Sequence, residues 1–213
     1  MTDTKLVYTL EFDSPVGVFT GLGVTGLLDR TVVRRSDGAP CIPGSTVKGR
    51  LRFFVERVLR ASQGKYHDFT MHGEDKPLCK EADRACVVCR LFGAPAIPAM
   101  LHFSDAVMDG AVWESLKEAV GGLRHGPVFR PGSIVRPGVA LSRRTRRAME
   151  DHLYFDEVVG PAVFKGRIVC RGLKEEEIAF LKGVARLVDA VGGRKAAGRG
   201  RLRGGIVIRE DEG

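Results

Sequence analysis

The segment APCIPGSTVKGRLR, residues 39–52, begins a long amphipathic stretch that constrains the fold more than any other part of the chain. Pro43 and Gly44 interrupt what precedes it, and Ser45 is a candidate N-cap. Apolar residues then recur at helical spacing, at Val47, Leu51, Phe54, Val55, Val58 and Leu59. The pattern predicts a helix over about 43–62 whose apolar stripe packs in the core.

The first two turns of this helix carry an unusual charge. Lys48, Arg50 and Arg52 lie where the helix dipole disfavours positive charge. Gly49 lies among them, although a glycine inside a helix costs about 1 kcal/mol relative to alanine. Because Gly49 has no side chain, an anion could approach the helix backbone closely there, and the three surrounding cations would attract it. We therefore expect this end of the helix to face a phosphate.

Strands and helices alternate along the chain. The predicted elements are a strand over 6–12, the helix over 43–62, a strand over 101–108, a strand pair over 152–172 broken at Gly160 and Pro161, a helix over 174–191 capped by Gly192, and a final strand over 204–210. Residues 63–93 are interpreted as an insertion and residues 121–139 as an extended loop. One helix follows the first strand and the other precedes the last strand, as in the β-α-β-β-α-β order, so we predict an α+β fold of ferredoxin-like, or RRM-like, topology.

Positive charge is in excess and is segregated along the chain. Lys and Arg number 34 against 26 Asp and Glu, which gives a net charge of +8. Residues 142–147, SRRTRR, contain no acid, and residues 192–205, GGRKAAGRGRLRGG, combine cations with glycines. Segregated cations of this kind favour a polyanionic partner such as a nucleic acid.

Nothing in the sequence indicates a membrane protein. No stretch approaches the roughly 18 uninterrupted apolar residues that a membrane-spanning helix needs. The first residues, MTDTKLVYTLEFD, lack the basic and apolar regions of a signal peptide. We therefore expect a cytoplasmic protein with no membrane partner.

Three of the five cysteines have the spacing of a metal site. Cys79, Cys86 and Cys89 form a C-x6-C-x2-C pattern, which can place three thiolates around one ion. A structural zinc ion takes four sulfur or nitrogen ligands, and His72 or His67 could supply the fourth, with His72 preferred because it is nearer. A zinc ion with four protein ligands would stabilise the insertion, and it would have no open coordination position for catalysis. The alternative is a group of reduced thiols without a metal.

Several motifs together resemble those of the RAMP superfamily. They are IPGSTVKGRLR after a glycine-rich run, then CVVCRLFG, then LHFSDA, and finally the glycine-rich loop over 192–205. The nearest resemblance is to the backbone subunits of type III CRISPR effector complexes, the Csm and Cmr families, and it extends over about residues 5–208. It implies one RRM-like domain over 1–213, with a zinc-binding insertion at 63–93 and a protruding β-hairpin thumb.

The resemblance also implies partners. Copies of such subunits polymerise along a guide RNA, together with other subunits of the effector complex, and the guide pairs with a target RNA. VALSRRTRRAMEDHLYFDEVV resembles the segment that lies beside the guide–target duplex. With 7% aromatic residues and no RNP-like pattern, we expect contacts to the RNA backbone rather than to bases. The candidate RNA-binding residues are Ser45, Lys48, Gly49, Arg50, Arg52, Arg143, Arg144, Arg194, Lys195, Arg199 and Arg201.

Catalysis is expected from one loop aspartate. In the subunits that this chain resembles, it lies between the glycine-rich run and IPGS, a segment that here contains Asp29 and Asp37. Asp29 follows an aliphatic pair and matches the family position, whereas Asp37 in SDG has the character of a turn residue. Asp29 could ligate Mg²⁺ or another divalent cation at the scissile phosphate. The alternatives are a non-catalytic scaffold and, less favoured, a repeat-processing endoribonuclease.

Overall fold

An antiparallel β-sheet with helices packed against it forms the frame of the protein. The structure is a computed structural model that describes residues 3–62, 71, 78–120 and 130–211. In chain order the elements are β1 (Thr4–Phe12), β2 (Cys41–Ile42), α1 (Gly44–Ala61), α2 (Val87–Phe92), β3 (Leu101–Phe103), β4 (Ala106–Met108), α3 (Gly110–Val120), β5 (Ser133–Leu141), β6 (Ala148–Val159), β7 (Val163–Cys170), α4 (Glu175–Ala185) and β8 (Leu202–Glu210). The mixed α+β class is as predicted.

The main sheet has the strand order β2-β4-β7-β1-β8, and β3 also pairs with β7. Every pairing in it is antiparallel. In β1 the even-numbered residues from Leu6 to Phe12 are buried and the residues between them are not, which is the period of two expected for a strand. The predicted first strand is therefore confirmed.

Helix α1 confirms the predicted helix over 43–62 and packs against α4 and α2. Its buried stripe is Gly44, Val47, Leu51, Val55 and Leu59. The N-cap prediction was wrong, because the helix begins one residue before Ser45 and Pro43 occupies the capping position. The Gly44 N–H instead donates a 2.8 Å hydrogen bond to the carboxylate of Asp105.

The second long helix is shorter than predicted. α4 ends at Ala185, and Arg186, not Gly192, is its C-cap. The chain beyond the helix stays packed, with Val188 and Val191 fully buried, so apolar spacing alone extended the prediction too far. Gly192 has φ +100° and a Cβ there would approach the carbonyl oxygen of Gly17 to 2.8 Å, so it belongs to the following loop.

Three other segments differ from the prediction. The strand over 101–108 is split into β3 and β4 at Ser104 and Asp105, where the chain turns to meet Gly44. β6 and β7 flank Gly160 and Pro161 but belong to different sheets. Residues 133–139, predicted as loop, lie in β5. Of the insertion predicted over 63–93, residues 63–70 and 72–77 lie outside the described residues, and Val87–Phe92 form α2, which is largely buried.

β5 and β6 form a separate two-stranded antiparallel hairpin. Its register shifts between Val139 and Leu141, and residues 142–147 connect the two strands. Leu141 and Leu153 are each 61% exposed, so the hairpin presents apolar side chains to solvent. None of the helices in the described part of the chain is long and apolar enough to cross a membrane.

Candidate RNA interface and metal site

The Asp29 side chain is exposed and is held by the backbone of β6. The N–H of Asp29 donates to the carbonyl oxygen of Phe155 at 2.9 Å, and the Phe155 N–H donates back to Oδ2 of Asp29 at 2.6 Å. An open cavity of about 370 Å³ lies beside it, lined by residues 23–29 together with Leu153 and Phe155. Within the described residues Oδ1 of Asp29 has no hydrogen-bond partner, so this oxygen is available to a cation or a water molecule.

Asp37 has the environment of a turn residue. Its Oδ1 accepts a hydrogen bond from the Ala39 N–H at 3.0 Å, and Gly38 between them has φ +81°. Its other oxygen lies 3.6 Å from Arg35. Such local side-chain hydrogen bonding is typical of aspartate in turns.

One buried carboxylate gathers three arginines from two distant segments. Asp156 on β6 is fully buried. Arg30 binds it through Nε at 2.8 Å and Nη2 at 3.1 Å. Arg194 and Arg199, from the glycine-rich loop, bind Oδ2 of the same residue at 3.0 and 2.7 Å. This group, named here the Asp156 cluster, joins the glycine-rich loop to the residue that follows Asp29.

The next residue along β6 forms a second network, the Glu157 cluster. Glu157 accepts hydrogen bonds from Arg34 at 2.6 Å, from Ser133 at 2.8 Å and from the Val32 N–H at 3.0 Å. Burial alone would raise the pKa of Glu157, but the hydrogen bonds from Arg34 and Ser133 outweigh it and hold the pKa below its ordinary value. A charged Glu157 thus ties β5 and β6 to the loop after Asp29.

Two of the predicted cations of α1 are engaged within the chain. Arg50 donates to the carbonyl oxygen of Ala190 at 2.8 Å and pairs with Asp189 at 2.9 Å. Arg52 pairs with Glu56 at 3.0 Å and donates to the carbonyl oxygen of Gly93 at 3.1 Å. Both arginines therefore stabilise the fold, whatever else they contact.

Lys48 and Gly49 differ from these two arginines. Lys48 is half-buried, and burial together with the neighbouring Arg52 cation lowers the pKa of Lys48 below its ordinary value. A Cβ added at Gly49 would meet no atom of the described residues within 4 Å, so their packing does not require a glycine there. The position borders a groove of about 490 Å³ that is also lined by Arg50 and Lys195.

The glycine-rich loop comes close to α1 through this groove, since Gly192, Gly193 and Lys195 line it together with Gly49. Lys195 Nζ donates to the carbonyl oxygen of Gly192 at 2.9 Å. Gly200 has φ +69°, and a Cβ there would overlap the carbonyl oxygen of Val191, so the loop needs glycine at that point. The structure thus brings Gly49 and the loop together.

The remaining predicted RNA-binding residues are dispersed. Arg143 and Arg144 are exposed in the turn between β5 and β6. Arg201 is exposed just before β8, and its N–H donates to Ser14 Oγ at 2.8 Å. Ser45 is exposed in the first turn of α1, next to the Gly44 N–H that Asp105 already occupies.

The three predicted metal-binding cysteines converge. The Sγ atoms of Cys79, Cys86 and Cys89 lie within 4.8 Å of one another. The Cys86 N–H donates to Cys79 Sγ at 3.4 Å and lowers the pKa of that thiol, whereas burial raises the pKa of Cys89 to about 11. Three convergent thiols with a C-x2-C knuckle fit a zinc ion. Both candidates for the fourth ligand, His72 and His67, lie outside the described residues.

Sequence reasoning missed Arg30, Asp156 and Glu157. The signal was present, because Asp156 and Glu157 are adjacent acids inside an otherwise apolar strand, HLYFDEVV. Adjacent residues of a strand point to opposite faces, so at least one of the two acids would be buried and would require cationic partners.

Fold and site together define a mixed α+β protein with antiparallel sheets, a cationic loop-and-helix surface and a convergent cysteine cluster. The family model described as RAMPs, the RAMP superfamily, matches residues 9–203. The chain therefore belongs to the RAMP superfamily, as its motifs predicted, and this membership indicates a CRISPR-associated, RNA-binding role. A search of curated proteins found no match.

Proposed function

We propose that this protein is a guide-RNA-binding backbone subunit of a type III CRISPR effector complex, and that Asp29 takes part in cutting the paired target RNA. Copies of the chain would assemble along the guide with the other subunits of the complex. Family membership supports the RNA-binding part. The strand order β4-β7-β1-β8 supports the ferredoxin-like topology, and the exposed β5–β6 hairpin supports the assignment of a thumb.

The geometry at Asp29 carries the proposal of cleavage. Two hydrogen bonds with Phe155, one from the Asp29 backbone N–H and one to its Oδ2, hold Asp29 beside β6, and its Oδ1 has no hydrogen-bond partner among the described residues. Asp29 could therefore hold a divalent cation such as Mg²⁺, which would stabilise the charge at the scissile phosphate. An RNA 2′-hydroxyl would attack this phosphorus, the bond from phosphorus to the 5′-oxygen of the next nucleotide would break, and the hydroxyl proton would pass to water. The protein contributes the fixed position of the carboxylate.

RNA binding is proposed to occur mainly through phosphates. Gly49 and the glycine-rich loop border one groove, where the backbone is accessible and cations line the walls. The predicted cations outside this groove, Arg143 and Arg144, would reach RNA from the tip of the hairpin.

One structural zinc ion held by Cys79, Cys86 and Cys89, with His72 as fourth ligand, would stabilise the region that includes the 63–93 insertion.

A non-catalytic scaffold is the second candidate, and one observation favours it. Oδ2 of Asp29 accepts a 2.6 Å hydrogen bond from the Phe155 N–H, so this carboxylate has a role in tying the loop to β6 that needs no chemistry. In that case Asp29 would matter for the position of the loop and not for cutting.

A pair of isosteric variants in the assembled complex tests the function. Complementary RNA added with Mg²⁺ should give evenly spaced fragments with the unmodified chain and with Asp37→Asn. Asp29→Asn should slow cleavage about a hundredfold or more, yet keep guide and target binding, because the amide can still accept the Phe155 hydrogen bond. Asp29→Asn that cuts normally would contradict the catalytic role. An unmodified complex that binds RNA without cutting would identify a scaffold.

A further inference from the structure

The Asp156 cluster contains more positive charge than its own acid can balance. Three guanidinium groups, from Arg30, Arg194 and Arg199, share the single carboxylate of Asp156. The neighbouring Glu157 does not make up the difference, since it pairs with Arg34 and Arg130. Two positive charges of the cluster therefore lack a counter-charge among these partners, and like charges held this close favour the binding of a second anion.

The arginines of the cluster also keep unused donors. Asp156 occupies Nε and Nη2 of Arg30, only Nε of Arg194 and only Nη1 of Arg199. Within the described residues the other guanidinium nitrogens of these three side chains make no hydrogen bond. The side chains are 33%, 32% and 15% exposed, so solvent reaches the cluster while its carboxylate stays buried.

Aromatic rings and an unusual backbone conformation orient these arginines. The guanidinium of Arg194 lies 3.9 Å from the centre of the Tyr154 ring, and that of Arg30 lies 4.7 Å from the centre of the Phe19 ring. Arg194 has φ +54°, in the left-handed region that a residue with a side chain rarely adopts. A strained residue whose side chain is fixed by both stacking and an ion pair indicates a preorganised site.

We propose that Arg30, Arg194 and Arg199 form a seat for one phosphate of the RNA backbone, held in place by Asp156. The inference rests on the proposed function, and it adds Arg30 to the predicted cations Arg194 and Arg199 and assigns all three to one phosphate. Guanidinium forks match the oxygens of a phosphate, so the unused donors suit this ligand. Because Arg30 directly follows Asp29, a phosphate bound here sets the position of the RNA strand relative to the Asp29 carboxylate.

The Glu157 cluster offers a matched comparison, because it is a similar ion-pair network in which Arg34 is buried and both of its terminal nitrogens are engaged by groups of the chain. Arg34 donates to Glu157, to Ser133 and to the carbonyl oxygens of Gly38 and Pro131, and its side chain is only 11% exposed. Its loss should weaken the fold without removing a phosphate contact. A purely structural role for Arg30 would make the two arginines behave alike.

The test measures the dissociation constant of one single-stranded RNA over a salt series, together with the melting temperature, for Arg30→Gln, Arg30→Lys and Arg34→Gln of the full chain. Arg30→Gln should lower the slope of log K against log salt by about 0.7, because one cation no longer releases a counterion. Arg30→Lys should restore the slope, since it restores the charge. Arg34→Gln should melt earlier with an unchanged slope.

Should Arg30→Gln not fold, Arg199→Gln should show the same fall in slope. Slopes that stay equal in the unmodified chain, Arg30→Gln and Arg199→Gln would overturn the phosphate seat while leaving the proposed function standing. Absence of RNA binding by the unmodified chain would overturn the proposed function and the seat with it.

Discussion

Arg52 on α1 donates a 3.1 Å hydrogen bond to the carbonyl oxygen of Gly93, the C-cap residue of α2. α2 begins directly after Cys86 and contains Cys89, so the candidate metal site and the basic helix α1 are joined through one short, buried helix. A ligand that fixes the cysteines also fixes α2, and through Arg52 it supports the surface around Lys48. The stability of the metal site and the RNA affinity of α1 should therefore be coupled.

Metal analysis of the purified chain should give about one zinc ion per protein. Cys89→Ser should lose the ion and lower the melting temperature, because a structural zinc contributes its binding free energy to folding. Chelation of the unmodified chain should have the same effect and should also weaken RNA binding. Cys170→Ala is the control and should keep the zinc, since Cys170 is buried in β7 and is not one of the three convergent cysteines.

Less than a tenth of a zinc ion per folded, unchelated chain would contradict the metal site. The fourth ligand has its own test, in which His72→Ala should lose zinc and His67→Ala should retain it. The reverse result would move the ligand to His67 and leave the three cysteines in place.

The Glu157 cluster predicts a specific loss of stability in acid. Its hydrogen bonds from Arg34 and Ser133 hold the pKa of Glu157 below the ordinary value in the folded state. A depressed carboxyl pKa stabilises the fold above the unfolded-state value of about 4.3, and that contribution is lost as the pH falls through the folded pKa. Glu157→Gln should therefore be less stable than the unmodified chain at pH 7, and the difference should shrink below about pH 4.

Denaturant unfolding at pH 7 and at pH 3 measures this difference. Glu150→Gln, an exposed acid on the same strand, is the control and should change stability little at either pH. A Glu157→Gln variant that loses as much stability at pH 3 as at pH 7 would assign the loss to packing and not to the charge.

The sequence predicted an element well where the residues buried in the fold follow the regular spacing of a helix or a strand. β1 and α1 were predicted because each buries one regular face, at alternate residues in β1 and at Val47, Leu51 and Val55 in α1. β5 was missed because both faces of the hairpin remain partly open and its sequence contains Pro137 and Gly138. α2 has only six residues, too few to show a helical period.

The sequence predicted which residues belong to the candidate site better than it predicted which of them contact one another. The convergence of Cys79, Cys86 and Cys89 followed from their spacing. The engagement of Arg50 with Asp189, 139 residues away, did not, because pairings of distant segments leave no local pattern. The Asp156 cluster likewise depends on the approach of residue 30 to residues 194 and 199, which only the fold establishes.

Substitutions at Gly49 should change the stability of α1 and its RNA binding in opposite directions. Gly49→Ala should raise the free energy of unfolding by up to about 1 kcal/mol, because alanine is the better helix former and the Cβ meets no atom within 4 Å in the part of the chain that the structure describes. Gly183→Ala in α4 is the matched control, since that exposed glycine also has open space around it. A larger side chain in Gly49→Gln should weaken RNA binding, whereas Gly183→Gln should not. Equal RNA affinities for these two glutamine variants would contradict close approach of RNA to Gly49.

Lys48 should bind phosphate without contributing to the fold. Among the described residues no acid pairs with it, and it lies beside the Arg52 cation, which helps to lower its pKa. Lys48→Gln should therefore leave the melting temperature unchanged or slightly raised, while the salt dependence of RNA binding becomes shallower by about 0.7 in slope.

Arg50→Gln should instead melt earlier, because it loses the contacts to Ala190 and Asp189. Lys182→Gln, whose amine is already paired with Glu210, should keep the unmodified slope. A Lys48→Gln chain with the full salt slope would exclude Lys48 from the RNA contact, and the phosphate contacts at the groove around Gly49 would then fall to Arg50 and Lys195, which line it.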